Sequence, residues 1–121
     1  MSKRSIAAAL VGAALTISAI GTSAAYAYPA DCTGGKVCLY DYYDFVGQLG
    51  WRAAGVSLAN ISSANNDKMA SWANSTSTNA AWYEGLNGSG TCHTMSKQSQ
   101  NSALDIFTRD TASSWKTNGG C

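Results

Sequence analysis

Four cysteines, Cys32, Cys38, Cys92 and Cys121, are the residues whose type and spacing bear most directly on chemistry. Thiolates can ligate zinc or close disulfides. Structural zinc sites usually draw on close pairs of the Cys-x-x-Cys kind, and the chain has none, so two disulfides are expected. Three pairings are open. Cys32–Cys38 with Cys92–Cys121 is favoured, because each bridge then closes within one half of an internal repeat. On a chain-entropy argument the short loop contributes about 2 kcal/mol and the long one about 3–4 kcal/mol.

Catalytic chemistry has a thinner basis. The chain holds one histidine, His93, and one glutamate, Glu84. His93 follows Cys92 inside an expected strand, which suits a strand face better than a catalytic dyad. A triad needs nucleophile, base and orienting group held in reach. Neither a nucleophile elbow nor a His-Glu zinc-protease pattern occurs. Asp41 and Asp44 could serve glycoside chemistry as a carboxylate pair, but a turn role suits them better. No catalytic residue is predicted, and no cofactor is required.

The first 27 residues read as a secretory signal peptide. Lys3 and Arg4 precede an uncharged apolar run, Ile6 to Ile20, and Ala25-Tyr26-Ala27 offers a cleavage site. The run is 15 residues long, short of the ~20 that a membrane span needs. Cleavage after Ala27 leaves 94 residues, 28–121, with six basic residues against seven acidic. The formal charge falls from +1 to −1. Such a surface gives no footing for phosphate-driven nucleic-acid binding or for polybasic attachment to membranes. The expectation is a secreted, extracellular, single-domain monomer.

The elements that must position these residues follow from a repeat. Six residues separate Tyr40 from Gly47, and six separate Tyr83 from Gly90. The frames Val37-Cys38-Leu39-Tyr40-Asp41 and Ala80-Ala81-Trp82-Tyr83-Glu84 match in pattern, and the two copies stand 43 residues apart. That period suggests two similar four-stranded units packed on each other. Short runs rich in aromatic and branched residues predict strands at 36–42, 49–53, 69–73, 80–84, 91–95 and 105–109. A helical turn within 58–69 is a further expectation. Segments at 44–47, 87–90 and 118–120 supply residues that tolerate positive φ and predict turns. Alternation places Val37, Leu39 and Ile106 on one parity and Cys38, Tyr40 and Phe107 on the other, so both strand faces carry apolar atoms.

Four tryptophans, Trp51, Trp72, Trp82 and Trp115, supply much of the burial available to so short a chain. Trp72 and Phe107 are matched across the units as core residues. Tyr42 and Tyr43 are adjacent on a strand and therefore point to opposite faces, which leaves one of them exposed in the 42–46 hairpin. An exposed aromatic at a loop tip can contact a protease or a glycan.

A second pair of segments completes a pattern. Asn66-Asp67-Lys68-Met69-Ala70-Ser71-Trp72 is set against Asn101-Ser102-Ala103-Leu104-Asp105-Ile106-Phe107; both open on small polar residues and close on an aromatic. With the Tyr-x6-Gly pairs ahead of them, they resemble the βγ-crystallin Greek-key motif. The opening Cys32-Thr-Gly-Gly-Lys-Val-Cys38-Leu-Tyr-Asp, followed by Asn66-Asp67 and Ser71-Trp72-Ala73-Asn74, is similar to small secreted proteins of the actinobacterial metalloproteinase-inhibitor family. The resemblance runs from Cys32 to Trp115. It implies an all-β, βγ-crystallin-like sandwich of two Greek-key units with two disulfides. It also implies a secreted inhibitor of peptidases with a metallopeptidase as partner; inhibition of that kind would require a stiff loop, which a disulfide-braced sandwich could hold. Asp41–Gly47 is the segment its aromatics suggest for that loop. The alternative is a calcium-binding structural or surface-recognition module.

The superfamily's calcium loop reads Asn/Asp-Asn/Asp-x-x-Ser/Thr-Ser. Calcium takes six to eight oxygens. By this resemblance Asn66, Asp67 and Ser71 are candidate ligands in the first unit, with Ala70 where a hydroxyl belongs. Asn101 and Asp105 are candidates in the second, with Ile106 where a serine belongs. Each loop lacks one expected hydroxyl, which makes both weak calcium candidates. Asn66 and Asp67 could equally organise a turn.

Overall fold

The computed structural model describes residues 27–121. The expected signal peptide, apart from Ala27, lies outside the described residues. Eight strands follow in order: β1 (Lys36–Tyr42), β2 (Val46–Ala53), β3 (Ala59–Asn60), β4 (Ser71–Asn74), β5 (Ala80–Tyr83), β6 (Cys92–Met95), β7 (Ser99–Asn101) and β8 (Ser114–Lys116). They form two antiparallel four-stranded sheets, ordered β2-β1-β4-β7 and β3-β8-β5-β6. Each unit gives its third strand to the other unit's sheet: β3 pairs with β8, and β7 pairs with β4. This is the expected two-unit Greek-key sandwich. Among the described residues no helix is long and apolar enough to cross a membrane.

The alternation read from β1 decides where the core sits. Val37 and Leu39 enter the main core between the sheets, with Met69, Trp72, Trp82 and Trp115. Cys38 and Tyr40, on the opposite parity, enter a second small cluster with Cys32, Ala73 and Phe45. Burying β1 on both sides therefore takes two cores. The disulfides are Cys32–Cys38 and Cys92–Cys121, the favoured pairing.

The 43-residue period extends well beyond the Tyr-x6-Gly pairs. Left-handed backbone occurs at Asp44 and Asn87, at Asp67 and Asp110, and at Gly47 and Gly90, each pair one period apart. Gly47 illustrates the steric reason. Its φ is 76°, and a Cβ there would lie 3.2 Å from the Tyr42 ring. The Ala70 N–H donates to the Tyr40 carbonyl at 2.8 Å, and the Ser113 N–H donates to the Tyr83 carbonyl at 2.9 Å.

Three expectations need correction. Residues 105–109 form no strand; 106–110 are a turn, because the Asp105 carboxylate captures nearby donors that a strand would direct to a neighbour. The strand of this unit is β8, and it pairs Trp115 with Trp82 in the core. Phe107 is therefore not the counterpart of Trp72: it is 85% exposed, and Trp115 takes the buried position. Within 58–69 the chain makes turns at 63–67 and no helix.

Candidate functional site

Ser71 and Ser114 show how the period shapes the surface. The Ser71 hydroxyl donates to the Tyr42 carbonyl at 2.7 Å and accepts the Phe45 N–H at 3.1 Å. The Ser114 hydroxyl donates to the Gly85 carbonyl at 2.7 Å and accepts the Gly88 N–H at 2.9 Å. Each serine is buried and clamps one folded hairpin onto its sheet. Ser71 thus has its hydrogen bonds committed to the backbone.

This register replaces the second calcium loop. The counterparts of Asn66, Asp67 and Ser71 are Arg109, Asp110 and Ser114, not Asn101 and Asp105. The two aspartates are equivalent in detail: the Asp67 N–H donates to the Ala112 carbonyl at 3.0 Å, and the Asp110 N–H donates to the Met69 carbonyl at 2.9 Å. Side chains then meet across the unit boundary. The Ser113 hydroxyl donates to Asp67 Oδ1 at 3.1 Å, whereas Asp110 shares its pocket with the methyl group of Ala70. The neighbouring Asn66 has a buried Oδ1 without a hydrogen-bond partner. The side-chain oxygens at the first position are one carboxylate and one hydroxyl, few against calcium's six to eight. Among the described residues no group of three or more His, Cys, Asp or Glu could hold a metal.

Asn101 and Asp105 line a different feature, a cleft of about 440 Å³ shared with Trp72, Trp82, His93 and Thr108. Both side chains organise turns. Asn101 Oδ1 accepts the Ala103 N–H at 3.0 Å. Asp105 Oδ1 accepts the Phe107 N–H at 2.9 Å, the Thr108 N–H at 3.0 Å and the Thr108 hydroxyl at 3.0 Å. The Thr108 hydroxyl first, and then the Phe107 N–H, hold the Asp105 carboxyl below the usual aspartate range. His93 stacks on Trp82 with ring centres 4.1 Å apart, and its Nε2 lies 2.7 Å from Glu84 Oε2. The one histidine and the one glutamate are paired here on a strand face.

The segment favoured for contact, Asp41–Gly47, is a tightly held hairpin. Phe45 turns inward, edge-on to Tyr40 at 5.7 Å, into the cluster that contains the Cys32–Cys38 bridge. Tyr40 Oη donates to Asp31 Oδ1 at 2.6 Å. Burial, and then that bond, push the Tyr40 phenol well above its ordinary range. Tyr42, at 61% exposure, and Val46 point outward. Tyr43 is tied across to the second unit, where Arg109 Nη1 donates to its Oη at 3.0 Å. Asp41, Tyr42, Tyr43, Ala70, Arg109 and Asp110 line an open pocket of about 220 Å³.

Sequence reasoning set Ile106 and Phe107 on a strand and did not single out Arg109, Asp110 and Ser113. The signal was available for the last three: carrying the 43-residue offset forward from Asn66, Asp67 and Ala70 lands on them. For Ile106 and Phe107 no signal existed, since an aromatic beside a branched residue reads as strand and core.

A model of peptidase inhibitor family I36 matches residues 25–96 of the chain. No curated protein matches it. Among solved structures, a βγ-crystallin domain from Flavobacterium johnsoniae is 22% identical with a TM-score of 0.54, covering 70% of this chain and 98% of that one. A βγ-crystallin from an archaeon is 20% identical with a TM-score of 0.55, covering 68% and 95%. A βγ-crystallin domain from Clostridium beijerinckii is 22% identical with a TM-score of 0.53, covering 66% and 93%. These likenesses establish the fold as βγ-crystallin-like.

Proposed function

Because the chain belongs to peptidase inhibitor family I36, we propose that it is a secreted inhibitor of metallopeptidases that acts through a rigid, disulfide-braced surface loop. The family makes a peptidase its partner and inhibition, not catalysis, its activity. The single observation that carries the finer reading is the hairpin at residues 42–46, which lies inside the matched span. Ser71 clamps its backbone at two points, and Phe45 anchors it on the cluster holding Cys32 and Cys38. A loop ordered before binding loses little entropy on docking, which is what an inhibitor needs to occupy a cleft without being processed. The signal peptide at residues 1–27 would deliver residues 28–121 to the oxidising space where both bridges form.

A titration of residual activity tests this. The oxidised protein would be added to a thermolysin-like metallopeptidase, a subtilisin and papain. A stoichiometric end point with the metallopeptidase alone is expected. Full activity of all three enzymes, with the protein confirmed folded, removes the inhibitor reading.

The second reading, a calcium-binding recognition module, is favoured by one contact. Asp67 and Ser113 bring a carboxylate and a hydroxyl together from different units, next in sequence to the orphaned Asn66 oxygen. Calcium there would join the units more tightly.

A further inference from the structure

The turn at residues 106–110 has a built-in control in the same chain. One period earlier, residues 63–67 make the same kind of turn, with left-handed backbone at Asp67 matching that at Asp110. Its opening hydrogen bond is also shared: the Asn65 N–H donates to the Ser62 carbonyl at 2.9 Å, and the Thr108 N–H to the Asp105 carbonyl at 3.1 Å. The two turns differ at their tips. Ser63 and Ala64 occupy the first; Ile106 and Phe107 occupy the second. Ile106 is 69% and Phe107 85% exposed. The backbone shape therefore requires no large apolar side chain at the tip, and the ring adds little burial to the fold.

The second turn also carries more side-chain hydrogen bonds within itself. Asp105 stands where the first turn has Ser62, and its carboxylate accepts three hydrogen bonds from Phe107 and Thr108. Thr111 Oγ1 donates to the Thr108 carbonyl at 2.6 Å, and Arg109 ties the turn to Tyr43 of the hairpin. A projecting ring on a pre-ordered turn is the form of an anchor that enters a partner's pocket at low entropic cost.

We propose that Phe107, with Ile106 beside it, is the principal apolar anchor of the inhibitor, filling a hydrophobic specificity pocket in the cleft of the target peptidase. The inference rests on the inhibitor reading, and it concerns a loop outside the span of residues 25–96 that the family model matches. The target class is then a peptidase that selects large apolar side chains. Substrate pockets of that kind are concave and apolar, complementary to a single projecting ring. Asp105, Arg109 and Asp110 flank the tip with charge, which suits a narrow pocket better than a wide apolar partner face.

The test compares the exported, disulfide-bonded protein with Phe107→Ala, Phe107→Leu and, at the control turn, Ala64→Phe. Inhibition constants are read on a thermolysin-like metallopeptidase and a subtilisin, with thermal unfolding in parallel. Phe107→Ala is expected to melt as the parent does and to inhibit about 30-fold or more weakly, the size of a binding hot spot. Phe107→Leu should retain most of the potency, and Ala64→Phe should leave it unchanged. If the parent inhibits and Phe107→Ala matches it, this proposal falls and the inhibitor reading stands. If the folded parent inhibits neither of these enzymes nor papain, both fall. A concentration-dependent dimer abolished by Phe107→Ala, with inhibition retained, assigns the ring to self-association and overturns the proposal.

Discussion

Arg109 reaches across the two units to Tyr43: its Nη1 donates to the phenol at 3.0 Å, and its guanidinium carbon lies 5.8 Å from the ring centre. The contact joins the hairpin of the first unit to the turn of the second. It is exposed, so it contributes little to the stability of the fold. Its value lies in fixing two loops relative to each other.

Arg109→Ala should therefore separate stability from binding. The melting temperature is expected to stay within about 2 °C of the parent, as for surface changes away from buried networks. Inhibition of the target peptidase should weaken about three- to tenfold, the cost of ordering one or two freed side chains on docking. Equal inhibition by parent and variant would show that the two loops do not act together.

Ser71→Ala and Ser114→Ala form a matched pair. Each substitution removes two hydrogen bonds and leaves a backbone N–H, of Phe45 or Gly88, without its acceptor. Each should destabilise the protein by about 2–3 kcal/mol in denaturant unfolding. Only Ser71→Ala loosens the hairpin that carries Tyr42 and Tyr43, so only it should also weaken inhibition when measured well below the unfolding transition.

Calcium offers an asymmetric outcome. If the Asp67–Ser113 position binds the ion, millimolar calcium should raise the melting temperature, since a ligand of the folded state alone stabilises it by about 2.7 kcal/mol at a hundred times its dissociation constant. Asp67→Asn and Ser113→Ala should then abolish the rise, whereas Asp110→Asn, beside Ala70, should leave it intact. A melting temperature unmoved by calcium removes the second functional reading.

The Asp105 turn carries a pH dependence of definite sign. Its folded-state pKa lies below the ordinary value, so the carboxylate's stabilisation is fully present above about pH 4 and is lost as the pH falls through the lowered value. Amide exchange at Phe107 and Thr108, followed by NMR at fixed temperature, should show protection that holds from neutrality to pH 5 and declines in more acid solution. Protection that instead rises on acidification would mean that the turn is held by something other than Asp105.

Much of the architecture was legible because it rests on local chemistry. The bounds of β1 follow from the alternation of Val37, Cys38, Leu39 and Tyr40, and the pairing of the bridges follows from keeping each within one copy of the repeat. The second unit was read out of register because its loop was aligned by composition. Asn101-Ser102 mimics the polar pair Asn66-Asp67, while the structural counterpart begins with Arg109. Ser114 and Trp115, which clamp a hairpin and fill the core, retain the residue types of Ser71 and Trp72. The position ahead of the left-handed aspartate has no such constraint: Asn66 is part-buried and Arg109 exposed, and they share no side-chain chemistry. Phe107 was misplaced for a related reason: aromatic character is the same in a core and at a binding tip, and only the fold separates them.

The exchange of β3 and β7 between the sheets has a consequence for a member of a peptidase-inhibitor family. Neither half can peel away without stripping a strand from the other, so partial openings that would offer an extended segment for cleavage are suppressed. Susceptibility to digestion should then track the population of the globally unfolded chain. Lifetime in the presence of peptidases becomes a property of the whole fold's cooperativity, independent of which bond a peptidase prefers.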